Sequence, residues 1–166
     1  MNFTKSFKEI KNHLFKKENL INFTIVAAIF FLDRFSKLSV LKNFNESNYY
    51  INNFFNIDLT WNTGIGFGLL STNLTLYYNL ITFVIGLVIL ILVYILMISE
   101  NVDKFVFSFI VGGALGNFYD RLIYKAVPDF IDLHYNNFHW FVFNVADIFI
   151  SIGIIAYIIK GYFEKN

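Results

Sequence analysis

From Leu74 to Ile98 the chain runs without one charged side chain, and most of its residues are large and apolar. At 1.5 Å per residue a helix of that length covers the roughly 30 Å of a bilayer's hydrocarbon. Three further stretches repeat the theme: about 20–41, 104–123 and 141–159. The remaining composition agrees, with 57% hydrophobic, 20% aromatic and only 15% charged residues. A soluble domain averages about 25% charged. The expected fold class is therefore an all-α polytopic membrane protein with four transmembrane helices, forming a single membrane domain over 1–166.

Charge placement sets an orientation. Lys5, Lys8, Lys11, Lys16 and Lys17 precede the first span, Lys104 lies beside the second connection, and Lys160 and Lys165 end the chain. Loops rich in Lys and Arg stay in the cytoplasm. Residues 1–19 then form a basic cytoplasmic segment, both termini face inward, and the connections 42–73 and 124–140 face outward. Arg34, Lys37, Lys42, Arg121 and Lys125 dilute that bias. Within 3–17, Phe3, Phe7, Ile10 and Leu14 alternate with lysines at helical spacing, which suits either a helix lying on the inner leaflet or a frayed basic tail. No small-residue cleavage site follows the first apolar run, so that run reads as a retained helix.

The outer segment 44–70 differs in kind. Tyr49-Tyr50-Ile51 and Phe54 to Trp61 have strand composition and partial alternation. Asn62-Thr63-Gly64-Ile65-Gly66-Phe67-Gly68 reads as a glycine-spaced turn. Lipid would leave such backbone groups unsatisfied, so a small extracytoplasmic β-cradle is expected there.

Two carboxylates carry the chemistry. Asp129 lies in Val127-Pro128-Asp129-Phe130, and Asp147 follows Asn144-Val145-Ala146 at the mouth of an apolar helix. An acid placed there costs several kcal/mol unless it is paired or put to use. If the two meet across the loop 130–140, they cannot easily both ionise, and one keeps a proton. One carboxylate can then take a proton from water while the other donates to a carbonyl. The plainer reading is two isolated interfacial acids. Gly112, Gly113 and Gly116 let a neighbouring helix approach closely. Asp120 and Arg121 are adjacent on a helix and point apart, so each meets a partner elsewhere, in a scaffolding role. Asp33 and Lys37, four residues apart, read best as a pair snorkelling at the interface.

Other chemistries lack their residues. With no Cys there is no thiolate catalysis and no Cys-held metal. No serine has a nucleophile's context. Asp129, Asp132, His134 and His139 can be drawn together, but their linear spacing matches no tight ligand set, so no metal and no cofactor are expected. No basic stripe suits nucleic acid.

Five blocks occur in order: Asp33-Arg34-Phe35-Ser36-Lys37; Asn62 to Phe67; Gly112 to Arg121; Val127 to Phe130; and Phe143 to Asp147. Over about residues 20–160 the chain resembles lipoprotein signal peptidase, the bacterial signal peptidase II. The resemblance implies an aspartic endopeptidase of the cell membrane, its active site near the outer face. It would remove the signal peptide from diacylglyceryl-modified prolipoproteins, cutting before the lipidated Cys. Its partners would be those precursors and membrane lipid, and it would act as a monomer. The catalytic pair maps onto Asp129 and Asp147. Supporting residues map onto Asp33, Lys37, Asn62, Gly64, Asn117, Asp120, Arg121, Asn144 and Ala146. Arg34 stands where the family usually has Gln, Lys125 where Gly is common, and Pro128 is unusual before the first acid. Two other functions compete: a metal-dependent lipid-head-group transferase, and a transporter subunit using the acids as a proton relay.

Overall fold

The computed structural model describes residues 17–44, 49–64, 75–136 and 138–164. The proposed surface helix at 3–17 and most of the glycine turn after Gly64 lie outside the described residues. The order of elements is α1 (Lys17–Asn43), β1 (Tyr49–Asn52), β2 (Phe55–Asn62), α2 (Thr75–Ile98), α3 (Asn101–Tyr124), β3 (Val127–Tyr135), β4 (Phe138–Phe143) and α4 (Val145–Phe163). The fold is thus mostly helical with one small antiparallel sheet. Among the described residues two helices, Leu76–Ile98 and Val145–Phe163, are long and apolar enough to cross a membrane. They leave large side chains such as Leu76, Leu90, Tyr94 and Ile158 exposed. An apolar surface of that extent needs lipid or a partner to cover it.

Helix α3 is the hub, packing against α1, α2 and α4. Its core contact is made by Val106, Phe107, Ile110 and Val111 with Leu96 of α2. Two glycines of α3 allow close approaches that bear on the acids. A Cβ on Gly113 would stand 2.5 Å from the Ala146 carbonyl oxygen at the start of α4. A Cβ on Gly116 would stand 2.5 Å from Asp33 Oδ2 on α1. These small residues seat α4, which carries Asp147, and α1, which carries Asp33, close against α3, as their spacing suggested.

The sheet corrects the sequence reading in two places. Its order is β1-β2-β3-β4, so the cradle extends beyond the 44–70 segment. The connection 124–140, read as a loop, forms a β-hairpin of β3 and β4 that takes the first residues assigned to the fourth span, so the helix there starts at Val145 and not at 141. Trp140-Phe141-Val142-Phe143 is apolar enough to extend a helical span by hydropathy, but its β-branched and aromatic residues pair with β3, as Asp132↔Val142 and Ile131↔Phe143. The small sheet expected beside the helices is present, with the 127–143 hairpin as its second half. Lys125, at the end of α3, takes a left-handed φ of 58°. A glycine adopts that conformation without strain, whereas a side chain costs roughly 1–2 kcal/mol.

Gly113→Ala is expected to lower stability in detergent by roughly 1–3 kcal/mol, because backbone must move to admit the methyl group. Gly161, where an added Cβ would meet nothing within 4 Å, is the control. Gly161→Ala should be neutral or gain up to about 1 kcal/mol of helix propensity. Thermal unfolding of both variants tests this, and equal behaviour would refute the close-packing assignment.

Candidate active site

The sheet and the helix ends converge on Asp129 and Asp147. Asp129 sits on β3, paired across to Thr60 of β2, and is 2% exposed. Asn62, at the end of β2, donates from Nδ2 to Asp129 Oδ2 at 2.9 Å. Asn144 donates from Nδ2 to Asp129 Oδ1 at 2.5 Å. Asp147 lies in the first turn of α4. Asn144 caps that helix: its Oδ1 accepts from the Asp147 backbone N–H at 3.1 Å, and its own N–H donates to Asp147 Oδ2 at 3.2 Å. Both orphan donors at the helix start are satisfied reciprocally. One asparagine therefore touches both carboxylates.

A further set of bonds holds this arrangement. Asn117 on α3 donates from Nδ2 to Asp147 Oδ1 at 2.8 Å. Its Oδ1 accepts from Lys37 Nζ at 2.8 Å. The same ammonium donates to Asp33 Oδ2 at 2.8 Å and to Asp120 Oδ2 at 2.7 Å. Asp33 Oδ1 in turn accepts the Ala146 backbone N–H at 3.0 Å. Arg121 donates from Nη2 to the Gly64 carbonyl at 2.6 Å and from Nη1 to the Asn117 carbonyl at 3.2 Å. Gly64 N–H donates to Asn62 Oδ1 at 2.9 Å. The fold thus brings every sequence-derived site residue into one connected network.

The environment of Asp33 and Lys37 overturns the expectation of a snorkelling surface pair. Both are fully buried. Asp120 meets a partner on another helix, as expected; the Arg121 guanidinium reaches the Gly64 carbonyl just past β2, while its own carbonyl accepts from Tyr78 Oη on α2 at 3.2 Å. One participant was missed. Arg34 brings Nη1 within 2.6 Å of Asp120 Oδ1, as an ion pair off the hydrogen-bonding direction, and its guanidinium lies 5.0 Å from the Tyr119 ring. Two acids and two bases share the pocket, which balances the charge. The available signal was the excess of cations beside Asp33, read only as a departure from pattern. Asp132, His134 and His139, unremarkable in linear spacing, also meet in space, with ligand atoms all within 4.8 Å of one another.

Burial pushes the Asp129 carboxyl up to about 7, and the nearby Asp147 carboxylate adds to the rise. The hydrogen bonds from Asn62 and Asn144 oppose it. A buried acid beside a second carboxylate and kept neutral near physiological pH can donate a proton.

Several known proteins share this arrangement of sequence. The profile of a family described as signal peptidase (SPase) II matches residues 25–163. A lipoprotein signal peptidase of Pelagibacter ubique (strain HTCC1062) is 46% identical over 158 residues, covering 93% of this chain and 95% of that protein. One from Francisella tularensis subsp. novicida (strain U112) is 40% identical over 120 residues, covering 70% and 74%. A bacterial membrane enzyme solved by the in meso method superposes with a TM-score of 0.74 at 25% identity, over 88% of this chain and 90% of that one.

The Asp129 shift has a measurable consequence for stability. An unfolded Asp titrates near 3.9. Between that pH and about 7 the folded protein holds a proton that the unfolded chain has lost, so the stability this group contributes below pH 4 is lost as pH rises through 7. Asp129→Asn cannot titrate. The stability difference, variant minus wild type, should therefore rise by a few kcal/mol at most between pH 4 and 8. A flat difference across that range would contradict the raised value.

Proposed function

This chain belongs to the signal peptidase II family, and from that premise we propose that it is an aspartic endopeptidase. It removes the signal peptide from diacylglyceryl-modified prolipoproteins, cutting before the lipidated Cys. The observation that carries the proposal is Asn144, bonded to both carboxylates at once. It ties Asp129 and Asp147 to one another through a single residue, with each carboxylate oxygen accepting one protein hydrogen bond and keeping a second lone pair.

The two acids take complementary parts. Asp129, neutral up to about pH 7, donates its proton to the scissile carbonyl oxygen. Asp147, held as an acceptor by Asn117 and Asn144, takes a proton from the water whose oxygen attacks the carbonyl carbon. The tetrahedral gem-diol then collapses. Asp147 gives its proton to the departing amine nitrogen, and a diol hydroxyl returns a proton to Asp129. Carboxylates perform every proton transfer, so this chemistry requires no cation. Asn62, Gly64, Asn117 and Arg121 fix the geometry. Asp33, Lys37 and Asp120 anchor α1 to α3 and, through Ala146, to the start of α4.

The competing transporter reading wants acids at mid-membrane. Asp129 lies on the sheet, and Asp147 in the first turn of α4, beside the sheet. That arrangement favours a site at the membrane surface. The lipid-head-group transferase wants clustered acids around a cation, whereas Asp120 and Asp129 each have protein partners here.

We also propose four spans, the helices α1 to α4, in one membrane domain acting as a monomer in the cell membrane, with both termini cytoplasmic and the sheet outside. Reporters at both termini should read cytoplasmic, and tags at Asn48 or Asn136 should react with impermeant reagent from outside. An outward C-terminus would refute the topology.

Asp129→Asn and Asp147→Asn should each reduce cleavage of a diacylglyceryl-modified prolipoprotein by at least roughly a hundredfold, with insertion intact. The lipid itself should be required, since each buried CH₂ contributes about 0.8 kcal/mol to holding the substrate in the bilayer beside the dyad. Product N-termini from lipidated and unlipidated precursors check both claims. Near-normal turnover by either variant would remove the dyad, and equal rates on both precursors would remove lipid recognition.

A further inference from the structure

We propose that Asp132, His134 and His139 form a binding site for one zinc-class divalent cation that clips β3 to β4, separate from the dyad. On β3, Asp132 and His134 are two residues apart and share a face. Asp129, three residues before Asp132 on the same strand, projects from the other face. His134 and His139 are cross-strand partners, and an extra residue on β4 between Val142 and His139 shifts the register beside them. That bulge aims His139 back at Asp132. His139 Nδ1 lies 2.8 Å and His134 Nδ1 3.5 Å from Asp132 Oδ2, while the two imidazoles stack with centroids 5.0 Å apart. Donors around a tetrahedral zinc at about 2.0–2.2 Å stand a little over 3 Å from one another, so small side-chain adjustments bring all three onto one ion.

A second observation points to a missing ligand. Asp132 Oδ1 and His134 Nδ1 are buried and have no hydrogen-bond partner. The Asp132 side chain is 2% exposed and that of His134 7%. Buried polar atoms of this kind ordinarily find partners, and an orphaned pair facing a third donor asks for an ion. Two imidazoles and one carboxylate suit zinc, and they discriminate against magnesium and calcium, which prefer oxygen. His139, 56% exposed, supplies the door through which the ion enters and leaves a fourth position to water. The bound ion would brace the hairpin whose other end carries Asp129 and leads into Asn144.

The test uses full-length, tag-free protein in detergent, stripped with chelator and titrated with ZnCl₂ by calorimetry, with cobalt(II) absorption as a second probe. Wild type should take up one zinc, gain several degrees in Tm at saturation, and give the intense visible bands of tetrahedral cobalt. MgCl₂ should do neither. His139→Ala, at an exposed position that does not threaten folding, should weaken zinc at least about tenfold, and Asp132→Asn and His134→Ala should weaken it further. His13→Ala should leave binding unchanged. Absence of saturable one-to-one binding by wild type, or full affinity in His139→Ala, would overturn the site. Peptide cleavage is not the readout, so the dyad stands or falls separately.

Discussion

The Lys37 ammonium is the point on which the site depends. It has three N–H donors, and the fold gives each a partner: Asp33 on its own helix, and Asn117 and Asp120 on α3. A buried charge without such partners costs several kcal/mol, and removing one member of a buried pair typically costs about 3–5 kcal/mol. The cluster is therefore stable only as a whole. It commits α1 and α3 to one relative height and rotation, because a slip of one turn would strand every charge. Arg34 and Asp120 complete the balance with a second cation and a second anion.

From that anchor, order passes to Asp129 and Asp147 through short bonds. Asn117 accepts from Lys37 with its oxygen and donates to Asp147 with its nitrogen, so its amide orientation is dictated from one side and imposed on the other. Asp33 grips the first turn of α4 by accepting from Ala146. Asn144 then links the start of α4 to the sheet. Gly113 and Gly116 make these links possible, since any side chain there would push α4 and α1 out of reach. Packing and polar chemistry are the same constraint seen from two sides. Small residues bring the backbones close, and closeness lets short Asp and Asn side chains bridge them.

The sheet performs the complementary task. β2 carries Asn62 and β3 carries Asp129, and their antiparallel register puts the amide beside the carboxylate. Arg121 fastens the β2 end to α3 through the Gly64 carbonyl. Burial beneath this cradle is what raises the Asp129 carboxyl toward neutrality, against the opposing hydrogen bonds from Asn62 and Asn144.

Much of this is legible in the residues alone. Long uncharged runs can satisfy their backbone in lipid only as helices, so the helical layer follows from composition and length. Acids beside such runs are costly, so Asp129 and Asp147 are marked by energy alone, and the ordered blocks around them point to the same supporting residues. What the linear chain could not decide was which strands pair and which charges meet. The segment 138–143 has the hydropathy of a span and the residue types of a strand, and only pairing with β3 resolves the two. Asp33 and Lys37 have the spacing of a surface pair, and only the arrival of α3 with Asp120 and Asn117 makes them a buried centre. Asp132 and His139 are seven residues apart in sequence, and a β-bulge puts them 2.8 Å apart in space. Local pattern sets which elements form. Long-range contacts between elements set where their polar side chains meet, and the chemistry resides there.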